Sequence, residues 1–483
     1  MDISNISTKS PKIEDLGAKR GDLALEEVLE KIASIPSLAY PPVLFPDLNF
    51  KIKNESPSSL ATATKGTIVP NLTSPSLGCS MGVIATNLEK KDTTPEFQKK
   101  FYKAMQDHLG ESYGIFENIL VWFGLKKRPI LKYDLTLREF DDIIRRGAAA
   151  AADRFNLPGE ILNNLEFRGS LFSEEEQRAL NIKKILPRSS FTNGRHDLGY
   201  GFKGNHFLEI QVVEEIFDEE FAEKFGLKKG NVVIMYHGGG GLIPYHVGRY
   251  FANRGKKLMG AGFLASRIKL VLHFFGKIFF HLLSADGIRN FKTRYKYYFR
   301  PDAYQEIPID SEEGRRLFQA TKASLNYSYA FNIAIYRRVK DALEKINPKI
   351  KARLVTAKIH NSIHQEKGLV VHRHTVTRIS PKETSLISGF NNTASFLILG
   401  QDGSDKYLNS TDHGSGAVIK KFKENNASSV KDGKTIIHRT KEPFREEVSH
   451  ITDEGIEYVI ERLEEKNIAR RAVKLRPIAS FKG

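Results

Sequence analysis

Four histidines of this chain stand beside glycine or asparagine at the ends of β-like runs. His206 follows Gly204-Asn205 and precedes Phe207-Leu208-Glu209-Ile210-Gln211, an alternation that reads as a strand with a carboxylate three residues beyond the ring. His237 closes the β-branched run Val232-Val233-Ile234-Met235-Tyr236 and leads into Gly238-Gly239-Gly240-Gly241. His360 precedes Asn361, and His413 sits in Ser410-Thr411-Asp412-His413-Gly414-Ser415-Gly416. Imidazoles joined by a thiolate suit Zn²⁺, Mn²⁺ and similar ions, and Cys79 is the one cysteine available. Glycine lets backbone approach a ligand closely and presents N–H groups to phosphate. A plainer reading stands beside this one. Such histidines also serve as hydrogen-bonded structural residues, a lone cysteine is a small buried hydrophobe, and no zinc-finger spacing links the five. His246, His273, His281, His364 and His438 have no comparable setting and read as structural or exposed.

The elements that must position these groups form a mixed α/β pattern. The pattern predicts a helix over Leu23 to Ile35, then turns and short strands from Tyr40 to Leu88 around Cys79. Residues 95 to 125 read as helix, with Phe97, Phe101, Met105 and His108 on one face. Further helices are expected over Leu137 to Arg154, Glu174 to Leu180 and Glu215 to Phe225, and a helix pair over 311 to 345 capped by Asp310 and Ser311. Lys351 to Ile359 reads as a strand with Val370 to Thr377 as its partner. Phe396 to Leu399 is another strand, and a helix over Glu454 to Lys466 precedes a basic terminal strand. No repeat or linker divides the chain, so one large α+β domain with mixed sheets and surrounding helices is expected.

Composition bounds the partners. Of 483 residues, 27% are charged and 40% hydrophobic, which excludes a disordered chain. The net charge of +17 points to a polyanionic partner, nucleic acid first and an anionic membrane surface second, unless it only mirrors a basic proteome. A single cysteine excludes disulfides within the chain and fits a reducing, cytoplasmic setting, and the polar first thirty residues carry no secretory signal. The most apolar stretch, Leu258 to Leu283, is interrupted by Arg267, Lys269, His273, Lys277 and His281, too many polar groups for an integral span. It reads as a core or partner-facing helix, with a basic amphipathic helix on a membrane surface as the sharper alternative.

Several of these segments, in order, resemble the RtcB-type RNA ligases. Gly204 to Gln211 is similar to that family's GGNHFLEIQ motif. Pro308-Ile309-Asp310-Ser311 with Glu313-Gly314 resembles PIDSPEG, Ser410 to Gly416 resembles STCHGAGR, and Leu475 to Gly483 resembles the closing LKPxGxxKG. Pro70 to Val83 resembles the segment that carries the family's metal-bridging cysteine. The resemblance covers residue 40 to the terminus. It implies a ligase domain over 40–483 behind an N-terminal extension and helix over 1–39.

The resemblance also implies a GTP- and Mn²⁺-dependent RNA ligase. Such an enzyme joins 3′-phosphate or 2′,3′-cyclic phosphate ends to 5′-hydroxyl ends through a histidine–GMP intermediate. In that reading Cys79, His206, His237 and His360 hold one or two Mn²⁺ ions, and His413 is the nucleophile. Asn205 meets the nucleotide phosphate, while Glu209, Ser395 and Lys482 hold guanine. The implied partners are GTP, RNA in the form of tRNA halves or broken RNA, and an accessory protein. The chain also departs from the family. Ser76 replaces a metal-binding Asp, Gly241 and Ala417 replace arginines, Ile451 replaces a guanine-site Tyr, and the basic apolar segment at about 249–300 has no counterpart. An alternative is therefore a catalytically impaired homologue acting as an RNA-binding or regulatory protein; a metal-dependent phosphoesterase acting on RNA ends is a third.

Overall fold

The computed structural model describes residues 13–18, 22–50, 55–109, 131–199, 206–252, 263–299, 304–425, 429–439 and 445–482. Asn205 and the 110–125 part of the expected helix lie outside them.

The β-branched run around Val232 becomes the strand Asn231–Gly238, buried along nearly its whole length. Burial on both faces is what a continuous apolar strand requires. It lies inside a nine-stranded sheet, between Phe207–Ile216 and Ser80–Glu89. Beyond Ser80–Glu89 comes Ala352–Ile359, and beyond Phe207–Ile216 come the terminal strand Ala469–Lys482 and Ser395–Gly400. A second sheet of five strands includes Leu38–Asn49, Ser58–Thr64, Leu369–His374 and Asn361–Glu366. The chain passes from one sheet to the other at His360.

One 35-residue helix, Glu312–Ile346, packs against the large sheet with most of its residues buried. Ser311 Oγ caps its start by accepting from Gly314 N at 2.9 Å. Two helices were expected here. No glycine or proline occurs between Gly314 and Pro348, so nothing breaks the run. The helix is fixed to the sheet through Asn332, whose Oδ1 accepts from Ser80 Oγ at 3.0 Å and from Tyr236 OH at 2.8 Å.

Other boundaries also differ from expectation. The Leu137 to Arg154 helix is two, Leu137–Arg146 and Ala148–Arg154. Gly147 separates them at φ 61°, and a Cβ there would meet Gly169 O at 2.1 Å. The strand Phe207–Ile216 consumes the start of the helix expected at Glu215, which begins instead at Glu219 behind the Asp218 cap. Leu369–His374 pairs with Asn361–Glu366 and Ser58–Thr64, not with Ala352–Ile359. A tight Lys367-Gly368 turn, both residues at positive φ, closes that hairpin. The helices at Leu23–Ala33, Glu174–Ala179 and Glu454–Glu465 and the strands at Ser395–Gly400 and Ala469–Lys482 stand close to where the pattern puts them. The fold is α+β, with mixed sheets in one large domain.

Candidate active site

Strand register assembles the site. Phe207 pairs with His237, and Met81 pairs with His237 from the other side. Ser80 pairs with Ile359. His206, Cys79 and His360 each lie one residue beyond a paired position, so all four chemical groups emerge at the same end of adjacent strands. Cys79 Sγ is 3.2 Å from His237 Nε2 and 3.4 Å from His206 Nε2. One ligand atom from each of these three residues lies within 4.8 Å of the others. The His360 ring centroid is 5.1 Å from that of His237 and 4.3 Å from that of His413. Gly239 gives the His206 ring room, because a Cβ there would stand 2.9 Å from His206 Cε1.

The donor set fits a metal ion. A thiolate and neutral imidazoles are the ligands of borderline divalent cations. Burial pushes the Cys79 thiol up to about 12, so an adjacent cation is the natural means of holding it as thiolate. Burial, then the neighbouring His413, His237 and His206, keeps His360 well below its ordinary value, in the neutral form that ligation needs. Its Nδ1 is buried without a hydrogen-bond partner among the described residues. Ser76 is exposed, and no carboxylate joins the Cys79–His206–His237 group among the described residues.

His413 is positioned separately. The strand Ser410–Asp412 pairs with Val376–Arg378, matching Asp412 to Val376, which sets Thr375 beside His413. His413 Nδ1 donates to Thr375 O at 2.9 Å. The neutral ring therefore keeps its lone pair on Nε2. Burial holds its pKa down to about 4, so this neutral form prevails near pH 7. Thr375 is β-branched yet has φ 54°, a strained conformation. Asn361 holds it there: its Oδ1 accepts from Thr375 N at 2.7 Å, while its Nδ2 donates to Ser76 O at 3.1 Å. A buried pair of acids backs the other side of His413. Asp412 Oδ2 accepts from Asp47 N at 3.0 Å, and Asp47 Oδ1 accepts from Ala417 N at 2.7 Å and Val418 N at 3.1 Å, at the start of the Gly416–Glu424 helix. Burial raises both carboxyls above the usual carboxylate range.

A cleft of about 500 Å³ opens beside His413, with His237, Glu209, Phe390, His374 and Lys482 in its lining. Lys482 is the one lysine or arginine among the described residues that line it. Burial pushes Glu209 up to about 6 against the pull of Gln211, Ser480 and Lys482. Ser395 is buried behind the cleft, where its Oγ accepts from Gly389 N at 3.1 Å and fixes the lining loop. Arg373 does not reach the cleft; its fully buried guanidinium donates to Glu366, Ser410 Oγ and Leu408 O. Thus the structure brings Cys79, His206, His237, His360 and His413 together, sets Glu209 and Lys482 on the cleft wall, and places Ser395 one layer back. Sequence reasoning missed the roles of Thr375, Asn361 and the Asp47–Asp412 contact. The pairing of Asn361 with His360 and of Asp412 with His413 in the sequence was the available signal.

A family model described as tRNA-splicing ligase RtcB matches residues 28–483. A "tRNA-splicing ligase RtcB" of Pyrococcus abyssi is 25% identical over 441 residues, covering 84% of this chain and 42% of that protein. The protein of the same name from Methanococcus maripaludis is 25% identical over 455 residues, covering 86% of this chain and 82% of its own length. That of Nanoarchaeum equitans is 24% identical, with 86% and 82% covered. The chain therefore spans less than half the length of the Pyrococcus abyssi relative and most of the length of the other two.

Proposed function

The chain belongs to the RtcB family of tRNA-splicing ligases, and from that premise we propose that it joins RNA ends using GTP and Mn²⁺. The observation that carries this reading is the state of His413. Its Nδ1 is tied to a carbonyl, its ring is neutral, and it lies 4.3 Å from the ring of His360 at the edge of a metal-donor cluster. A neutral imidazole held in one tautomer is a competent nucleophile.

In this reading His413 Nε2 attacks the α-phosphorus of GTP. A P–N bond forms, the bond from the α-phosphorus to the bridging oxygen breaks, and pyrophosphate leaves. An oxygen of the RNA 3′-phosphate then attacks the same phosphorus, the P–N bond breaks, His413 is released and GMP is carried on the RNA end. The 5′-hydroxyl attacks the phosphorus of the 3′-phosphate and expels GMP. Cys79, His206, His237 and His360 are the residues that would hold Mn²⁺, which supplies positive charge to the phosphates and leaving group when bound. Glu209, with its acceptor oxygens, and Lys482 and Ser395 would orient guanine, and Asn205 would contact phosphate. Residues 40–483 would form the ligase domain and 1–39 an extension, with tRNA halves or broken RNA as substrate. The single, buried cysteine fits a cytoplasmic setting.

Ser76 and the single cation, Lys482, among the described residues lining the cleft favour a second reading, an RNA-binding protein without ligation. Each missing arginine removes a charge-assisted phosphate contact of about 1.5–3 kcal/mol. The two readings separate in a joining assay. Purified protein is given RNA halves ending in 3′-phosphate and 5′-hydroxyl, with GTP and Mn²⁺. A joined product supports the ligase. Salt-sensitive RNA binding without product supports the second reading.

A further inference from the structure

The helix Phe263–Leu282 is inverted relative to an ordinary surface helix. Two of its polar side chains, Lys277 and His281, point inward. Lys277 is buried and donates to Ala252 O at 2.9 Å and to Tyr298 O. His281 is fully buried, and its Nε2 donates to Tyr250 O at 2.9 Å. Phe280 packs inward, but a stripe of apolar side chains faces out: Leu272 is 66% exposed and Phe275 50%, with Ile268, Val271 and Phe279 exposed on the same helical face. A second helix, Gly287–Tyr298, packs antiparallel against it through His281–Tyr298 and Phe274–Phe299 ring contacts. It extends the surface with Ile288, 85% exposed, and with Tyr295. A helix that buries a lysine and exposes leucine and phenylalanine has an apolar environment waiting on its outer side.

The charge around this face says what that environment is. Arg289, Lys292 and Lys296 are exposed on the second helix, and Lys292 and Lys296 make no ion pair among the described residues. Asp286 is the one acid between Phe263 and Phe299, and Arg294 at 2.7 Å and Lys184 at 3.6 Å hold it. Glu312 touches only the rim, 3.9 Å from Arg289. A second copy of the chain is a poor occupant, because a two-fold contact would bring these cations together with no acid to neutralise them. RNA would match the cations but not the aliphatic Leu272, Val271 and Ile268, which offer no stacking plane. No helix among the described residues is long and apolar enough to cross a membrane. A 20-residue helix about 30 Å long, apolar on its free side and flanked by lysine and arginine, matches the headgroup boundary of an anionic bilayer.

We propose that the helical hairpin Phe263–Phe299 docks this protein on anionic membrane surfaces, with Leu272, Phe275 and Ile288 entering the acyl boundary and Lys292 and Lys296 meeting lipid phosphates and carboxylates. The helix Leu242–Tyr250, which follows His237 after four glycines, packs against the hairpin through Tyr250 and Phe280. Docking would therefore hold the site at a fixed orientation to the lipid.

Vesicle flotation of the full chain tests this. Phosphatidylcholine vesicles with and without phosphatidylserine are compared at low and raised salt. The wild type floats with phosphatidylserine vesicles only, and salt releases it. Lys292→Glu and Lys296→Glu each weaken recovery by about five-fold or more. The exposed double change Leu272→Asp with Phe275→Asp abolishes recovery. Absence of wild-type flotation on either vesicle, or equal flotation of the apolar variant, overturns the proposal. Sedimentation velocity without lipid is the companion measurement: a dimer lost in the Leu272→Asp, Phe275→Asp variant would assign the face to a second copy and likewise overturn it.

Discussion

Asn361 Oδ1 accepts the Thr375 backbone N–H at 2.7 Å, and Thr375 is the residue whose carbonyl receives His413 Nδ1. One asparagine thus links the end of the large sheet, where His360 stands, to the nucleophile. Asn361 shares with Ser59 N, which donates to Thr375 Oγ1 at 2.7 Å, the task of holding Thr375 at φ 54°. Asn361→Ala is expected to slow covalent nucleotide capture by about 10²-fold through misplacement of His413, while manganese content is retained. Asn361→Asp keeps the accepting oxygen and restores part of the rate. Single-turnover labelling with metal analysis checks this, and equal rates in Asn361→Ala and wild type would contradict it.

Stability should fall with pH in a window set by buried histidines. Burial holds His246 to about 4 and His364 and His372 to about 3, below the ordinary value near 6.5. As pH falls, the unfolded chain takes up these protons first, so each site favours unfolding below about 6.5. The contribution is complete above that pH and is lost progressively toward the folded values. The histidine contribution to the melting temperature should be level from pH 8 to 7 and fall from about 6.5 to 4, opposed over that window by Asp47, Asp412 and Glu209, whose raised carboxyls take up protons in the folded chain first. Glu383, held to about 2 chiefly by Lys358 and Arg378 against its burial, acts only at the lower edge of that window. Replacing His364 and His372 by Gln should make the melting temperature less sensitive to acid between pH 6.5 and 4 than in wild type, and an identical pH profile in the two proteins would refute the histidine account.

Asn332 joins the long helix to Ser80 and Tyr236, the neighbours of Cys79 and His237. Asn332→Leu leaves two buried hydroxyls without their acceptor, at a cost of about 1–3 kcal/mol for each. Urea unfolding should show that loss. Asn332→Asp, which keeps the acceptor, should lie closer to wild type. If Asn332→Leu were as stable as wild type, the helix would owe nothing to this contact.

Ser76 lies exposed three residues before Cys79, where a carboxylate would supply a hard, charged oxygen ligand. Ser76→Asp should tighten Mn²⁺ binding by about tenfold or more. Calorimetric titration of the chelator-treated protein reads this directly. Chelation should also lower the melting temperature of the wild type, with recovery on adding Mn²⁺, because an ion that binds only the folded chain stabilises it. Equal affinities in the two proteins would show that the position is not a ligand site.

Local pattern made the strands legible and left their meeting hidden. The alternation at Phe207 to Gln211 and the β-branched run at Val232 each announce a strand, because side-chain periodicity is local physics. That Phe207 and Met81 both flank His237 depends on pairing between segments far apart in the chain, which periodicity does not carry. Cys79 gained a role only through motif resemblance. Its burial and its 3.2 Å approach to His237 supply the physical reason. Thr375 stayed invisible because no propensity puts a β-branched residue at positive φ. Lys277 and His281 were read as interruptions of an apolar helix, yet they are the side it buries, because backbone carbonyls wait for them inside. Gly147 broke a helix that its flanking alanines favoured, since only glycine fits against Gly169 O.

The most direct measurement is covalent capture of GTP labelled at the α-phosphate, in the presence of Mn²⁺, by wild type and His413→Ala. Label that survives denaturation on the wild type and is absent from His413→Ala is the expected result. Label retained in full by His413→Ala would contradict the assignment of His413 as nucleophile. A wild type that takes no label at any Mn²⁺ concentration would contradict the ligase reading itself.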